Sequence, residues 1–142
     1  MHIGNSTSLL KYQGCLITSL CMIYSKFHPF FSYLPSQATK EWKFIGNLLD
    51  WSTNFKGMEF VKRVISYNPE EVESYVKKSF GVVIQVQTKT GVHWMAVDGW
   101  GYLGKPVCYD PIDGKITYNP YGFLGKYARP LGYAVMQETL QP

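Results

Sequence analysis

Apolar residues recur every three or four positions in the early part of the chain. They are Leu16, Leu20, Ile23, Tyr24 and Phe27. This spacing places them on one face of an α-helix, and His28-Pro29 ends the run because proline cannot continue a helix. The pattern predicts a helix that begins after Gly14, at or close to Cys15, and packs one face against the rest of the protein.

Two further helices are predicted downstream. The first begins at Pro35-Ser36, with Ser36 as its N-cap. Its apolar stripe consists of Trp42, Ile45 and Leu49, and the chain turns away at residues 50–52. The second begins at Asn68-Pro69 and runs to about Ser79, because proline suits the first helical turn and two acidic residues follow it at the positive end of the helix.

The second half of the chain has the alternation and the turn residues of β-strands. Residues 81–87 and 92–100 are predicted strands, joined by a Gly-bearing turn at 88–91. Shorter strands are predicted at 106–110, 115–118 and 133–137, with a hairpin loop at 99–104 and a Gly-, Tyr- and Pro-rich loop at 119–130. Helices packed on one side of an antiparallel sheet give an α+β fold class.

The composition predicts one domain spanning residues 1–142. Of the residues, 46% are hydrophobic and 17% are charged, which is enough apolar material for a core and argues against disorder. No run approaches the ~18 apolar residues of a membrane span, and the N-terminus lacks the basic and apolar regions of a signal peptide. A cytoplasmic location is expected, with delivery outside the cell by lysis, a carrier or a virion.

The charge, the histidines and the cysteines indicate which ligands and which cellular compartment to expect. The net charge is +4, but the basic residues are spread along the chain, which argues against nucleic-acid binding. A basic surface fits an anionic cell-wall polymer or membrane headgroups equally well. The histidines have no metal-ligand spacing, so neither a metal nor another cofactor is expected. Three cysteines without a close pair suit a reducing compartment, and Cys21 and Cys108 are expected to pack in the core.

Three residues in these predicted elements supply the parts of a nucleophilic site. Cys15 lies at the predicted helix start, where the helix dipole favours a thiolate. His93 lies near the start of one predicted strand and Asp110 ends another. A thiol becomes a thiolate when a base takes its proton. The base in turn needs a hydrogen-bond acceptor that fixes its tautomer. Each residue also has a structural interpretation, as a buried thiol, a half-buried histidine and the first residue of an Asp-Pro turn.

The order of these motifs resembles the C39-like branch of the papain-like cysteine peptidases. The matching segments are Gly14-Cys15 with Thr18-Ser19-Leu20, His93-Trp94-Met95-Ala96-Val97-Asp98-Gly99, and Tyr109-Asp110-Pro111. The resemblance implies a papain-like fold with Cys15 as nucleophile, His93 as general base and acid, and Asp110 as the group that orients His93. Trp94, beside His93, is a candidate wall of the substrate site or else a core residue.

The resemblance departs from the family pattern at the oxyanion hole. Papain-like enzymes usually carry a Gln several residues before the Cys, and its side-chain amide acts with the Cys backbone N–H. Residues 5–10 contain no Gln, which leaves Gln13 as the candidate donor and Asn5, Ser6 or Ser8 as alternatives. Loss of an oxyanion donor typically costs on the order of 100-fold or more in rate.

The expected function is therefore that of a thiol peptidase or amide hydrolase acting by acyl transfer. Its expected substrate is a peptide, including the stem or cross-bridge peptides of peptidoglycan, since the family includes leader-processing peptidases and cell-wall hydrolases carried by phages. The alternative is a catalytically inactive papain-like module that binds a peptide or glycan within a larger protein assembly, for example that of a phage.

Overall fold

The structure is a computed structural model that describes residues 6–140, with side chains described from residue 13 onward. The described chain has an α+β architecture. Its helices are α1 (Ser6–Phe27), α2 (Pro35–Glu41) and α3 (Pro69–Lys77). Its strands are β1 (Phe44–Ile45), β2 (Leu48–Leu49), β3 (Met58–Val64), β4 (Gly81–Thr88), β5 (Gly91–Trp100), β6 (Pro106–Asp110), β7 (Lys115–Thr117) and β8 (Arg129–Glu138).

Six of the strands form one sheet in the order β3-β8-β4-β5-β6-β7, and every neighbouring pair is antiparallel. The hairpin of β4 and β5 pairs Val86 with His93 and Thr88 with Gly91. Strands β1 and β2 form a separate hairpin. The β4–β5 hairpin predicted from the sequence is thus confirmed, and it sits in the middle of the sheet.

The two faces of the sheet are covered by different helices. On one face, α1 packs its buried residues against a cluster that includes Val83, Trp94 and Ala96. On the other face, α3 packs against a second cluster that includes Val82 and Ile84. The expectation that the helices lie on one side of the sheet is therefore wrong. The unbroken apolar run in β4 is the physical reason, because a strand covered on both faces has no polar side to alternate with.

Helix α1 begins at Ser6, well before Cys15. The expected helix start close to Cys15 is wrong, and so is the argument that the dipole of a helix N-terminus acts on its thiol. A single interior glycine costs a helix about 1 kcal/mol relative to alanine, so Gly14 lowers the helix propensity without ending the helix. Cys15 instead lies on an interior turn.

Helix α2 is shorter than the apolar stripe predicted. It ends at Glu41, and its N-cap is Leu34 rather than Ser36. The apolar residues Ile45 and Leu49 belong to the β1–β2 hairpin instead of the helix. Gly46 has a φ of 62°, which is the left-handed conformation that a tight turn needs and that glycine adopts without strain.

Most of the other predicted elements are confirmed to within two residues at each end. Asn68 caps α3 by accepting hydrogen bonds from the backbone N–H groups of Glu70 and Glu71. Strand β8 starts four residues earlier than predicted, at Arg129, and strand β3 had no prediction at all. β3 is an edge strand of the sheet, and its apolar pattern is interrupted by charged residues, as is common in edge strands.

None of the described helices is both long and apolar enough to cross a membrane.

Candidate active site

Helix α1 holds Cys15 against the central hairpin of the sheet. Ile17 and Leu20, which follow Cys15 in the helix, are fully buried in the cluster between α1 and the sheet. The Ser19 hydroxyl donates a hydrogen bond to the Trp94 carbonyl at 3.3 Å. The helix is therefore fixed by packing and by a buried polar contact to β5, one residue away from His93.

Cys15, His93 and Asp110 form a continuous chain of contacts. The Cys15 sulfur lies 2.8 Å from His93 Nδ1, and His93 Nε2 lies 2.8 Å from Asp110 Oδ1. The His93 side chain is 3% exposed and that of Asp110 is fully buried, whereas Cys15 is partly exposed. The three residues that the sequence singled out as possible nucleophile, base and orienting carboxylate are thus brought together.

The position of His93 follows from the strand lengths. Pairing between β5 and β6 begins at Ala96 and Tyr109, so His93 lies beyond the paired part of β6. Its imidazole there reaches Asp110 at the end of β6 and Cys15 on α1 at the same time. An Nε2–H that donates to Asp110 leaves Nδ1 facing the sulfur, either as acceptor from a thiol or as donor to a thiolate.

Asp110 accepts hydrogen bonds at both carboxylate oxygens. Besides His93, the backbone N–H of Ile112 donates to Oδ1 at 2.9 Å. The Tyr127 hydroxyl donates to Oδ2 at 2.6 Å, and the Lys126 ammonium lies 2.7 Å from the same oxygen. Burial by itself would raise the pKa of Asp110, but the hydrogen bonds from His93, Lys126 and Tyr127 outweigh it and hold that pKa well below its usual range. The carboxylate is therefore ionised at neutral pH.

The surroundings of His93 favour its protonated form. Burial alone would lower the pKa of His93, but the hydrogen bonds to Asp110 and Cys15, with the charges of both partners, raise it to about 9. An imidazole with this pKa carries a proton on both ring nitrogens at neutral pH. His93 is thus suited to stabilise a thiolate at Cys15 and to give a proton away from Nδ1.

Tyr127 and Lys126, which contact Asp110, have no signal in the sequence that predicts their role. Both lie in the loop between β7 and β8, which the sequence identified only as rich in Gly, Tyr and Pro. The loop is held in place by Lys105, whose ammonium donates to the Tyr121 carbonyl at 2.8 Å. The Tyr127 ring also lies 5.2 Å from the His93 ring, centroid to centroid. No local pattern signals these contacts, because they depend on how the loop closes over the end of β6.

The backbone N–H of Cys15, one of the two expected oxyanion donors, lies within helix α1. Cys15 lies inside α1, where the backbone N–H of each residue donates to the carbonyl four residues earlier, so its N–H is engaged within the helix. Gln13 lines a cavity with Arg63, Gln85 and Trp94, and residues two apart in a helix face different directions. The role of Gln13 as oxyanion donor stays a prediction. Asn5 and the side chains of Ser6 and Ser8 lie outside the described part of the chain.

The remaining cysteines have the structural role expected of them. Cys21 and Cys108 are buried in the clusters on opposite faces of the sheet. Burial raises the pKa of Cys21 to about 12 and that of Cys108 further still, so both thiols stay protonated at physiological pH. Among the residues with described side chains, no group of three or more His, Cys, Asp or Glu is arranged to hold a metal ion.

We compared the chain with known protein families, curated proteins and solved structures. No protein-family description, curated protein or solved structure gives a significant match to the chain. The chemistry of the site has to be derived from its own contacts, above all those that link Asp110, His93 and Cys15.

Proposed function

We propose that this protein is a papain-like cysteine peptidase or amide hydrolase of the C39-like type. The observation that carries the proposal is the chain of contacts from the Cys15 sulfur through both nitrogens of His93 to Asp110, with 2.8 Å at each step. A buried carboxylate, an imidazole and a partly exposed thiol in this order are the components of nucleophilic acyl transfer. Cys21 and Cys108 lie in the core and have no such contact with the described histidines, His28 and His93.

The proposed reaction proceeds in two steps. The Cys15 thiolate attacks the carbonyl carbon of an amide, and the C–N bond breaks as His93 Nδ1 gives its proton to the leaving amine. This leaves an acyl thioester on Cys15 and a neutral imidazole. His93 Nδ1 then takes a proton from water, whose oxygen attacks the thioester, and the acid product leaves as the thiolate returns. Asp110 stays ionised throughout and fixes the orientation of the ring.

The stabilisation of the oxyanion sets an upper limit on the expected rate. The Cys15 N–H is used within α1, and Gln13 lines the cavity bordered by Leu16 and Trp94. Removing one such donor typically slows turnover by a factor of about 100 to 1,000. We therefore expect a slow hydrolase, unless the side chain of Gln13, Asn5, Ser6 or Ser8 supplies the donor.

A peptide is the proposed substrate, with the stem or cross-bridge peptides of a cell wall as a particular case. The net charge of +4 is compatible with an anionic cell-wall polymer. A second candidate function is that of a non-catalytic binding module within a larger assembly. The helical backbone at Cys15, which leaves the oxyanion without that N–H, is the observation that favours this second candidate.

The first experiment is the pH profile of alkylation by iodoacetamide, read at each cysteine by mass spectrometry. We expect Cys15 to react below the pH at which an ordinary thiol stops reacting, and we expect His93→Ala to abolish this low-pH reactivity. Cys21 and Cys108 serve as internal controls, because buried and protonated thiols stay unreactive in the folded protein. A Cys15 profile identical to that of an unfolded peptide in both proteins would overturn the peptidase proposal and favour the binding module.

A further inference from the structure

A cavity of about 240 Å³ lies beside the candidate active site. Two of its walls come from residues that follow the catalytic candidates in the chain, Leu16 after Cys15 and Trp94 after His93. The other lining residues are Gln13, Leu48, Leu49, Trp51, Arg63 and Gln85. The cavity therefore adjoins the candidate site through the residues next to Cys15 and His93 in the chain.

The cavity combines apolar walls with one charged group. Trp51 and Trp94 lie with their ring centroids 6.3 Å apart, and Leu16 and Leu49 are buried beside them. Gln13 and Gln85 are neutral, so Arg63 is the charged residue of the lining. Such a surface suits a ligand with a short apolar stem and an anionic end.

Arg63 has no acidic partner among the described side chains, although part of its surface is removed from water. Its guanidinium lies 4.9 Å from the centre of the Trp94 ring and donates to the Val64 carbonyl at 2.6 Å and to Gln85 Oε1 at 3.2 Å. No carboxylate oxygen of the described residues lies within 4.0 Å of it, whereas the adjacent Lys62 pairs with Glu71 at 2.5 Å. Burial without a counter-charge lowers the pKa of Arg63 and is unfavourable for a cation.

The backbone of β8 leaves room for this guanidinium. A Cβ atom at Gly132 would lie 2.8 Å from Arg63 Nη1 and 2.4 Å from the Val64 carbonyl oxygen. A side chain at position 132 would therefore displace both Arg63 and the end of β3. The absence of a side chain there leaves room for the guanidinium beside Trp94.

We infer that this cavity is a substrate subsite in which Arg63 binds a carboxylate carried by a residue next to the scissile amide. The inference rests on the proposed function. A guanidinium has five N–H groups, and the contacts to Val64 and Gln85 use two of them, so donors remain for a bidentate carboxylate contact. The carboxylate belongs either to an acidic side chain of an ordinary peptide or to the free α-carboxylate of a residue linked through its side chain.

Three affinity probes that alkylate Cys15 test this inference. They are the chloromethyl ketones of acetyl-Glu-Gly, of acetyl-Gln-Gly and of an N-acetyl-γ-glutamyl-Gly that has a free α-carboxylate. We expect at least one anionic probe to label Cys15 about tenfold or more faster than the Gln probe, because charge-assisted hydrogen bonds add that much binding. The faster anionic probe identifies the source of the carboxylate. Equal rates for all three probes on the wild-type protein would overturn the inference.

A pair of variants assigns the preference to Arg63. In Arg63→Gln, the anionic probes should label Cys15 no faster than the neutral one. In Arg129→Gln, which removes an exposed cation outside the cavity, the preference should persist. A preference that survives Arg63→Gln would also overturn the inference.

Iodoacetamide separates the failure of this inference from the failure of the proposed function. It is small and neutral, so its reaction with Cys15 in the wild-type protein does not depend on the binding of a carboxylate. Circular dichroism shows separately that Arg63→Gln is folded. A His93-dependent reaction with iodoacetamide, together with equal rates for the three probes, removes only the Arg63 subsite. If the reaction of Cys15 with iodoacetamide does not depend on His93, the peptidase proposal itself is contradicted.

Discussion

Two carboxylates in this protein are held by the same pair of side-chain types, in different surroundings. Asp110 accepts from the Tyr127 hydroxyl and pairs with Lys126, and Glu71 accepts from the Tyr133 hydroxyl and pairs with Lys62. The Asp110 side chain is fully buried, whereas that of Glu71 is 35% exposed. Asp110 also contacts a histidine, and Glu71 has no such contact among the described residues.

The comparison of Asp110 with Glu71 shows which of their contacts are specific to the candidate active site. The pKa of each carboxyl is lowered by its hydrogen-bond donors, so a tyrosine and a lysine suffice to keep a carboxylate ionised. Burial and the contact with His93 are what distinguish Asp110. Water and salt weaken the interactions of Glu71, but they reach Asp110 much less, so its charge acts on the imidazole at nearly full strength.

The largest expected effect comes from changing each carboxylate to its amide. Asp110→Asn removes one of the charges that raise the pKa of His93, so that pKa falls and the imidazole stabilises a thiolate less well. We expect alkylation of Cys15 at pH 6, and turnover once a substrate is known, to fall roughly 100-fold or more. Glu71→Gln is the matched control and should leave the rate unchanged. Equal losses in both variants would mean that the effect comes from the stability of the fold.

The next effect is a pH dependence of stability that comes from His93. Its pKa is raised in the folded protein, so its contribution to folding is fully present below the unfolded value of about 6.5 and is lost as the pH rises through about 9. A pKa change of this size corresponds to at most about 3 kcal/mol, so we expect a loss on the order of 1–3 kcal/mol. Urea unfolding at pH 6 and at pH 9.5 should show this loss in the wild-type protein, and His93→Gln should show a smaller one.

A smaller effect distinguishes the two tyrosines. Tyr127→Phe leaves the buried Asp110 with one donor fewer, which should lower the free energy of unfolding by about 1 kcal/mol and move the pH profile of Cys15 alkylation. Tyr133→Phe removes the corresponding donor from Glu71 and should leave the alkylation profile in place. Urea titrations and alkylation profiles of both variants provide the measurement, and a profile unmoved by Tyr127→Phe would exclude that hydroxyl from the control of His93.

The smallest effect belongs to the exposed ion pair. Lys62→Met should leave the midpoint of urea unfolding unchanged within error at physiological salt, since ion pairs in contact with water contribute little. The same measurement at low salt should show at most a slight destabilisation. A clear loss of stability at physiological salt would mean that Glu71 is held as tightly as Asp110, and the comparison between the two carboxylates would fail.

Those parts of the site that depend on local signals could be predicted from the sequence. His93 and Asp110 stand near the ends of strands bounded by Gly-bearing and Asp-Pro turns, and such turns leave a pattern in the chain itself. The start of α1 could not be predicted in the same way, because one glycine only weakens a helix. Tyr127 and Lys126 could not be predicted at all, since their contacts arise when the β7–β8 loop folds over Asp110.

The order of His93 and Trp94 along β5 has an evolutionary consequence. Successive side chains of a strand leave it in opposite directions, so His93 and Trp94 are adjacent in the gene but differ in the direction in which they leave β5. Deleting one codon at the start of β5 would exchange their faces and remove chemistry and recognition together. Point mutation at codon 94, by contrast, reshapes the cavity while His93 keeps its place in the strand, so the proposed recognition can change while the proposed chemistry is retained.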